Sequence, residues 1–96
     1  MPIEEDWKKL DEQHIRMVPD FPGVFELSDI LQEVIFIGKS ERLPQTLMQL
    51  LDKTDPCLRN AEFFRYKPVR DLDAEFDALI NEFKEANNRL PRCNKE

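Results

Sequence analysis

Two short β-rich runs that lie close together constrain this fold more than any other feature of the sequence. The run GVFEL at residues 23–27 and the run EVIFIG at residues 33–38 are both rich in β-branched and aromatic residues. Residues 28–32 are all that separates them. A parallel crossover needs roughly a dozen residues or more, so this connection is too short for one. The two runs are therefore predicted to pair as an antiparallel hairpin.

The residues after the hairpin predict a helix, a third strand and a final helix. Ser40 is a candidate N-cap, and after it leucines recur at the spacing of a helix that buries one stripe: Leu43, Leu47, Leu50 and Leu51. The run AEFFRYKPV at residues 61–69 predicts the third strand. Asp71 is a candidate N-cap for a last helix with one continuous apolar face: Leu72, Phe76, Leu79, Ile80 and Phe83.

The N-terminal part is predicted as a short amphipathic helix over residues 4–14, with Trp7 and Leu10 on one side. The prolines of VPDFPG, residues 18–23, break the chain after it because proline fixes φ and lacks an N–H donor. We expect residues 1–21 to form an N-terminal helix and linker packed on a single domain of residues 22–94. The expected fold class is α+β with α/β/α layers, in which helices flank a small three-stranded, mostly antiparallel sheet.

Charge and composition narrow the classes of function. The formal net charge is −6, which disfavours non-specific attraction to nucleic acid. The sequence has no apolar run near the roughly 20 residues that cross a bilayer, and its start is acidic, unlike a signal peptide. Cys57 and Cys93 stand far apart and His14 has no second ligand at metal spacing. We therefore expect free thiols, a cytoplasmic location and no membrane partner.

Two motifs and a closing segment resemble the GIY-YIG nuclease family. Its first strand carries Gly-Ile/Val-Tyr and its second carries Tyr-Ile/Val-Gly, where this sequence has GVF at residues 23–25 and FIG at residues 36–38. Lys39 follows the second glycine, as in many members, and a Pro-x-x-Asn segment closes the region at residues 91–94. The resemblance covers residues 22–94 and implies the family's fold.

The resemblance also implies a chemistry that this sequence matches poorly. Family members cut phosphodiester bonds with a divalent metal held by a helix glutamate, a motif tyrosine that acts on water and an arginine that stabilises charge. Phe25 and Phe36 stand at the tyrosine positions and Thr46 stands at the arginine position. Spacing to the closing proline places Glu82 at the metal position, whereas the Leu79-Ile80 pair places Phe76 there. The sequence supports both alignments.

Three hypotheses follow. The first is a catalytically degenerate GIY-YIG-like domain without a cofactor, acting as a binding or structural module. Its partner is another protein, or nucleic acid held in a small basic cleft: Lys39, Arg42, Arg65 and Lys67. The second is a divergent endonuclease that uses Mg²⁺ or Mn²⁺ with Lys39, Arg42 and Glu82. The third is an unrelated α+β interaction protein, for instance a homodimer formed through Trp7 and Leu10.

Overall fold

The computed structural model describes residues 3, 6–52 and 55–94. Its elements, in chain order, are β1 (Lys8–Lys9), α1 (Glu12–Ile15), β2 (Gly23–Ser28), β3 (Val34–Ser40), α2 (Leu43–Leu50), a 3₁₀ helix (Pro56–Asn60), β4 (Phe63–Pro68) and α3 (Leu72–Asn87). The strand and helix predictions for residues 23–87 are confirmed in type and order. None of the helices in this part of the chain has both the length and the apolar character that crossing a bilayer demands.

The sheet has four strands in the order β1-β4-β2-β3, and every neighbouring pair is antiparallel. The predicted hairpin is β2–β3, and β2 lies in the middle because β4 pairs with its other side. The expected mostly antiparallel α+β sheet is confirmed, with one strand more than expected. That extra strand is β1, in which Lys8 and Lys9 pair with Phe64 and Phe63 at the edge of β4.

The predicted helix over residues 4–14 is wrong. Its described part contains β1 and the start of the four-residue helix α1, which begins after an N-cap at Asp11; residues 4 and 5 lie outside the described residues. An isolated helix shorter than about 12 residues is marginal in water. The free edge of β4 offers the backbone of Lys8 and Lys9 hydrogen-bond partners that a short helix cannot match.

The two faces of the sheet carry separate apolar clusters. One cluster, which we call the α2 face, contains Phe25, Leu27 and Phe64 from the strands and Leu43 and Leu47 from α2. The other cluster, the α3 face, centres on buried residues from β2, β3 and α3: Val24, Ile37 and Leu79. The N-terminal segment contributes to both, since Ile3 is buried on the α3 face and Leu10 on the α2 face.

Local capping explains where the helices begin and end. Asp71 accepts a hydrogen bond from the Ala74 N–H at 3.1 Å, as expected for the N-cap of α3, and Asn88 ends that helix in the left-handed conformation at φ 59°. Ser40 does not cap α2. Its hydroxyl instead accepts from the Arg42 N–H at 2.9 Å, and α2 begins one residue later with a proline in its first turn.

The C-terminal segment lies along the outer edge of β3. The Cys93 N–H donates to the Ile35 carbonyl at 2.8 Å. The Asn94 side-chain amide both accepts from the Ile37 N–H and donates to the Ile37 carbonyl, each at 2.8 Å. Cys93 also forms a disulfide with Cys57, with the two Cα atoms 5.6 Å apart. The expected free thiols are therefore wrong, because a sequence separation of 36 residues gave no sign that the fold brings these cysteines together.

Candidate functional site

The phenylalanines at the two tyrosine positions pack on the α2 face. Phe25 pairs with Gly38 across β2 and β3, and its side chain is 1% exposed. A Cβ added at Gly38 would lie 2.4 Å from Cζ of Phe25, so the aromatic ring lies directly across the glycine. Phe36 is half-buried, with its ring centroid 5.9 Å from that of Phe25. The motif residues thus form a packed aromatic pair whose inner member is closed off from solvent.

The hydroxyl of Thr46, at the arginine position, bonds to a neighbouring hydroxyl. Its Oγ1 lies 2.6 Å from Oγ of Ser40, which in turn accepts from the Arg42 N–H. Ser40 is buried and Thr46 is half-buried. These two hydroxyls tie the end of β3 to α2. They place no positive charge beside the phenylalanines.

Tyr66 carries the only phenol in the sequence. It lies in β4 directly opposite Phe25, on the side away from Gly38, and it is half-buried. Its ring packs at 6.4 Å from the ring of Phe64, and the Lys8 ammonium lies 5.5 Å from its centroid. The cross-strand row is therefore Tyr66, Phe25, Gly38. Its position beside a motif aromatic was not visible in the sequence, because it depends on the β2–β4 register.

Two of the expected nucleic-acid-binding cations flank Val24 on the α3 face. Lys39 and Lys67 are both cross-strand partners of Val24. Each makes an ion pair with a carboxylate of α3, Lys39 with Asp73 at 2.6 Å and Lys67 with Glu75 at 3.4 Å. The hydrogen bond that the Lys39 ammonium donates to Asp73 raises the pKa of Lys39 above its usual value. The acidic residues in the first turns of α3 are thus the partners of these lysines.

Arg65 lies one cross-strand step further along the same face and belongs to a more buried group. Its Nε donates to Oε1 of Glu26 at 2.7 Å, and its guanidinium lies 4.2 Å from the Trp7 ring centroid. The Glu26 side chain is 8% exposed, and burial raises the pKa of that carboxyl despite the opposing effect of Arg65. The negative charge of Glu82 also raises it. An acidic residue inside the apolar run GVFEL was the sequence signal for this pair.

Arg42 is separate from the other three cations. It immediately precedes α2, the helix that covers the opposite face, and both Nε and Nη2 donate to Asp20, at 3.2 and 2.9 Å. It lines a cavity of about 640 Å³ together with Met48 and residues of α1, a lining that includes neither Phe25 nor Phe36. The structure therefore brings Lys39, Arg65 and Lys67 to one face and leaves Arg42 elsewhere.

Of the two candidate metal positions on α3, Phe76 lies beside Lys39 and Glu82 lies further along the helix. The Lys39 ammonium lies 4.9 Å from the Phe76 ring centroid, and the half-buried ring packs against the apolar cluster of the α3 face. Glu82 is exposed and lies about 9 Å further along the helix, six residues at 1.5 Å each. Its carboxylate neighbour Glu26 is already bonded to a guanidinium. An ammonium over a phenyl ring does not fit a divalent cation, so the Phe76 position offers no metal ligand.

Clusters of metal-ligating side chains are also missing elsewhere in the described chain. Across residues 3, 6–52 and 55–94, no group of three or more His, Cys, Asp or Glu side chains is placed to hold a metal ion. Dedicated protein sites for hard cations draw on several oxygen ligands, whereas sites that bind Mg²⁺ with substrate use one or two carboxylates. Metal binding in this chain therefore has to be judged at the Phe76 and Glu82 positions.

Comparisons with known sequences identify one family model and a group of relatives. The model of the family described as "Domain of unknown function (DUF7508)" matches residues 1–86. UvrABC system protein C of Clostridium perfringens is 32% identical over 92 residues, which cover 88% of this chain and 14% of that protein. The corresponding protein of Clostridium kluyveri is 29% identical over 90 residues, again 14% of its length. The chain thus spans about a seventh of these relatives.

Solved structures similar to this chain include the GIY-YIG N-terminal endonuclease domain of UvrC from Thermotoga maritima bound to magnesium. The TM-score is 0.65 with 23% identity, over 86% of this chain and 93% of that one. A variant of that domain with one tyrosine replaced by phenylalanine, described as bound to the catalytic divalent cation, has a TM-score of 0.64 with 25% identity. It covers 88% of this chain and 93% of its own.

Proposed function

This chain belongs to the DUF7508 family and is a GIY-YIG protein, and from that premise we propose that it is a catalytically degenerate member acting as a binding or structural module. The proposal rests on the scaffold being kept while the reactive positions have changed. Phe25, Phe36 and Thr46 occupy the positions where the family resemblance implies two tyrosines and an arginine.

The burial of Phe25 is the observation that carries the proposal. A residue that moves a proton to or from water must bring a polar atom within hydrogen-bond reach of it. The Phe25 ring has no hydroxyl, is 1% exposed and lies across Gly38 on the apolar α2 face. This position therefore serves packing.

The expected loss of rate is large. A positioned general base typically contributes about 10²- to 10⁴-fold. Loss of one charge-stabilising donor costs on the order of 10²- to 10³-fold. Thr46 cannot replace an arginine, since its hydroxyl is neutral and lies within bonding distance of Ser40. Even if the two losses are not strictly additive, the protein would keep little of the rate enhancement.

The metal position points the same way. The Thermotoga domain is described as bound to magnesium, and its tyrosine-to-phenylalanine variant still holds the cation. Replacement of an aromatic hydroxyl is thus compatible with metal binding in that protein. In this chain Phe76 lies under the Lys39 ammonium and has no ligand atom, and Glu82 is a single exposed carboxylate about 9 Å further along α3. We assign no step to a metal here.

A protein partner fits the charges better than nucleic acid does. Lys39, Arg42, Arg65 and Lys67 each have a carboxylate partner within the chain. A phosphate backbone would have to displace those carboxylates and approach a chain of net charge −6.

Incubation with single-stranded, double-stranded and branched DNA in Mg²⁺ or Mn²⁺ tests the loss of catalysis. We expect no cutting above a metal-only background. Metal-dependent cutting that disappears in Glu82→Gln would overturn the proposal and support the divergent endonuclease instead. The matched control is Glu85→Gln, which removes an exposed α3 carboxylate one turn later and should leave any true activity intact.

An NMR titration tests the partner class. Mg²⁺ is added first and a short DNA duplex second, and backbone amide shifts are followed. A protein-binding module predicts no saturable shift at Lys39, Arg65 or Lys67. Saturable shifts at these three, enhanced when Asp73→Asn and Glu75→Gln remove the competing carboxylates, would assign the α3 face to nucleic acid.

A further inference from the structure

The outer edge of β3 is closed by the last described residues of the chain. β3 is an outer strand of the sheet, and its backbone groups that point away from β2 would otherwise be free to pair. Cys93 and Asn94 satisfy three of them: the Ile35 carbonyl, the Ile37 N–H and the Ile37 carbonyl. The side chain of Asn94 acts here as one residue of a neighbouring strand.

Besides the backbone, one disulfide bond ties this closing segment to the rest of the molecule. The Cys57–Cys93 disulfide joins the segment to the 3₁₀ helix (Pro56–Asn60), which packs Leu58 into the α2 face. Cys93 is 4% exposed, whereas Cys57 is half-buried and is the more accessible sulfur. The disulfide and the Asn94 hydrogen bonds are adjacent in sequence. A change at the disulfide therefore acts directly on the edge of β3.

We propose that the Cys57–Cys93 disulfide is a reducible latch that holds the C-terminal segment on the β3 edge, and that a dithiol reductant releases it. The strand so controlled carries the FIG motif, since Phe36 and Gly38 lie on either side of Ile37. In the oxidised protein the edge is closed. In the reduced protein the Ile37 N–H and carbonyl lose their Asn94 partner and become open to solvent. This inference is independent of whether the domain is catalytic.

The chemistry is ordinary thiol–disulfide exchange and balances with one dithiol. A thiolate of the reductant attacks Sγ of Cys57, the S–S bond breaks, and Cys93 leaves as a thiolate that takes a proton. The second thiol of the reductant then attacks the mixed disulfide and releases Cys57. The protein gains two electrons and two protons, and the reductant ends as a disulfide.

Loss of the cross-link is expected to open the closing segment because the remaining contacts are few. Without the cross-link, the closing segment is held by Pro91, which is fully buried, and by the hydrogen bonds of Cys93 and Asn94. A cross-link that closes a 36-residue separation restricts the open state of the segment strongly, so its loss favours opening. Opening is then a local event at the edge, which is the least stable place in a sheet to hold a short segment.

Amide hydrogen exchange by NMR on the full chain, with and without dithiothreitol, tests the latch. The reporting amides are Ile37 and Cys93, which donate the two N–H bonds of the closed edge. We expect reduction to lower the protection factors of these two amides to at least about 10-fold below those of the β2 amides, which open only when the whole molecule unfolds. Unchanged exchange at Ile37 and Cys93 would overturn the proposal. So would protection factors in the reduced protein equal to those of the β2 amides, which would mean that the edge opens only when the whole molecule unfolds.

Two variants separate the disulfide from the asparagine. The double variant Cys57→Ser, Cys93→Ser should reproduce the reduced protein without any reductant. In oxidised Asn94→Ala, the Ile37 amide should exchange faster while the Cys93 amide stays protected by the cross-link. Loss of protection at both amides in oxidised Asn94→Ala would overturn the latch, as would two free thiols by mass and thiol titration in protein purified under air.

Discussion

Gly38 shows how a motif residue can be required for packing alone. Among the described residues no glycine has positive φ, so the backbone conformation at Gly38 is open to any residue. The constraint comes from the Phe25 ring, which occupies the space where a Cβ would be. Gly23 is similar, since a Cβ there would lie 2.6 Å from the Lys67 carbonyl oxygen. Both motif glycines therefore permit close approach between neighbouring groups.

We expect Gly38→Ala to lower the free energy of unfolding by about 1–3 kcal/mol, the usual cost of overpacking. Urea denaturation measures it. The matched test is the same change in a Phe25→Leu background, where the ring is gone and the penalty should shrink by about 1 kcal/mol or more. Equal penalties in the two backgrounds would show that the ring is not the reason for the glycine.

Restoring the tyrosines distinguishes the two phenylalanine positions. Phe25→Tyr adds a hydroxyl to a buried ring, and an unsatisfied buried hydroxyl costs about 1–3 kcal/mol. Phe36→Tyr should cost no more than about 1 kcal/mol, because this half-buried ring can turn its hydroxyl toward water. Urea midpoints with an unchanged slope measure both. A stable Phe25→Tyr that also gains DNA cutting would contradict the degenerate site.

At the scale of elements, strand β2 determines which residues of the candidate site share a face of the sheet. Its alternate residues divide the sheet into two faces, with Phe25 and Leu27 on the α2 face and Val24 and Glu26 on the α3 face. The one charged residue of this strand is thus placed between the sheet and α3. The free-energy cost of burying Glu26 is limited by its hydrogen bond from the Arg65 guanidinium, which the Trp7 ring covers.

The buried Glu26 predicts a pH dependence of stability. Burial raises its folded pKa above the ordinary value of 4.5, so the folded state holds this proton more tightly than the unfolded state. The resulting stabilisation is complete below pH 4.5 and is lost as the pH rises through the folded pKa. We therefore expect the free energy of unfolding of the wild type, minus that of Glu26→Gln, to fall as the pH rises through that range.

Denaturant unfolding of both proteins at a series of pH values from about 4 upward measures this difference, with the exposed-site variant Glu33→Gln as control. A difference that rises with pH would mean that Arg65 outweighs burial and holds the folded pKa of Glu26 below the ordinary value.

Patterns local in sequence were predictable and long-range pairings were not. The hairpin, α2 and α3 have short-range periodicity, and Asp71 was found as a cap because its signal lies within three residues. The pairing of Lys8 and Lys9 with β4 has no such pattern, since two consecutive lysines show no alternation of apolar and polar residues. The same holds for the partners of the candidate cations: Asp73, Glu75 and Glu26 were visible as acids, but only the register and the α3 packing assign them.

At the scale of the whole molecule, the 36-residue separation of the bonded cysteines ties the end of the chain to its middle. The sequence could not reveal this bond, because each cysteine alone has an ordinary context. A chain of this size has a modest core, so one cross-link is a large part of its stability. The two apolar clusters also share the N-terminal segment, which places Ile3 in one and Leu10 in the other.

We expect the double variant Cys57→Ser, Cys93→Ser to lose about 3–4 kcal/mol of unfolding free energy, from the loop-closure entropy of a separation of this length. Guanidinium denaturation against the oxidised wild type measures it, and wild type in dithiothreitol is the matched comparison. A loss below about 1 kcal/mol would contradict the assigned bond.

The path of the N-terminal segment around the sheet has a mechanical consequence. Because Ile3 packs on the α3 face and Leu10 on the α2 face, with β1 paired at the sheet margin, a pulling force applied near Ile3 is borne by both layers. Under tension the pairs of Lys8 with Phe64 and Lys9 with Phe63 would unzip one after the other, and the covering over the Arg65–Glu26 pair would be drawn away with Trp7. Tension on the N-terminal segment would therefore expose the buried Glu26 carboxylate to water.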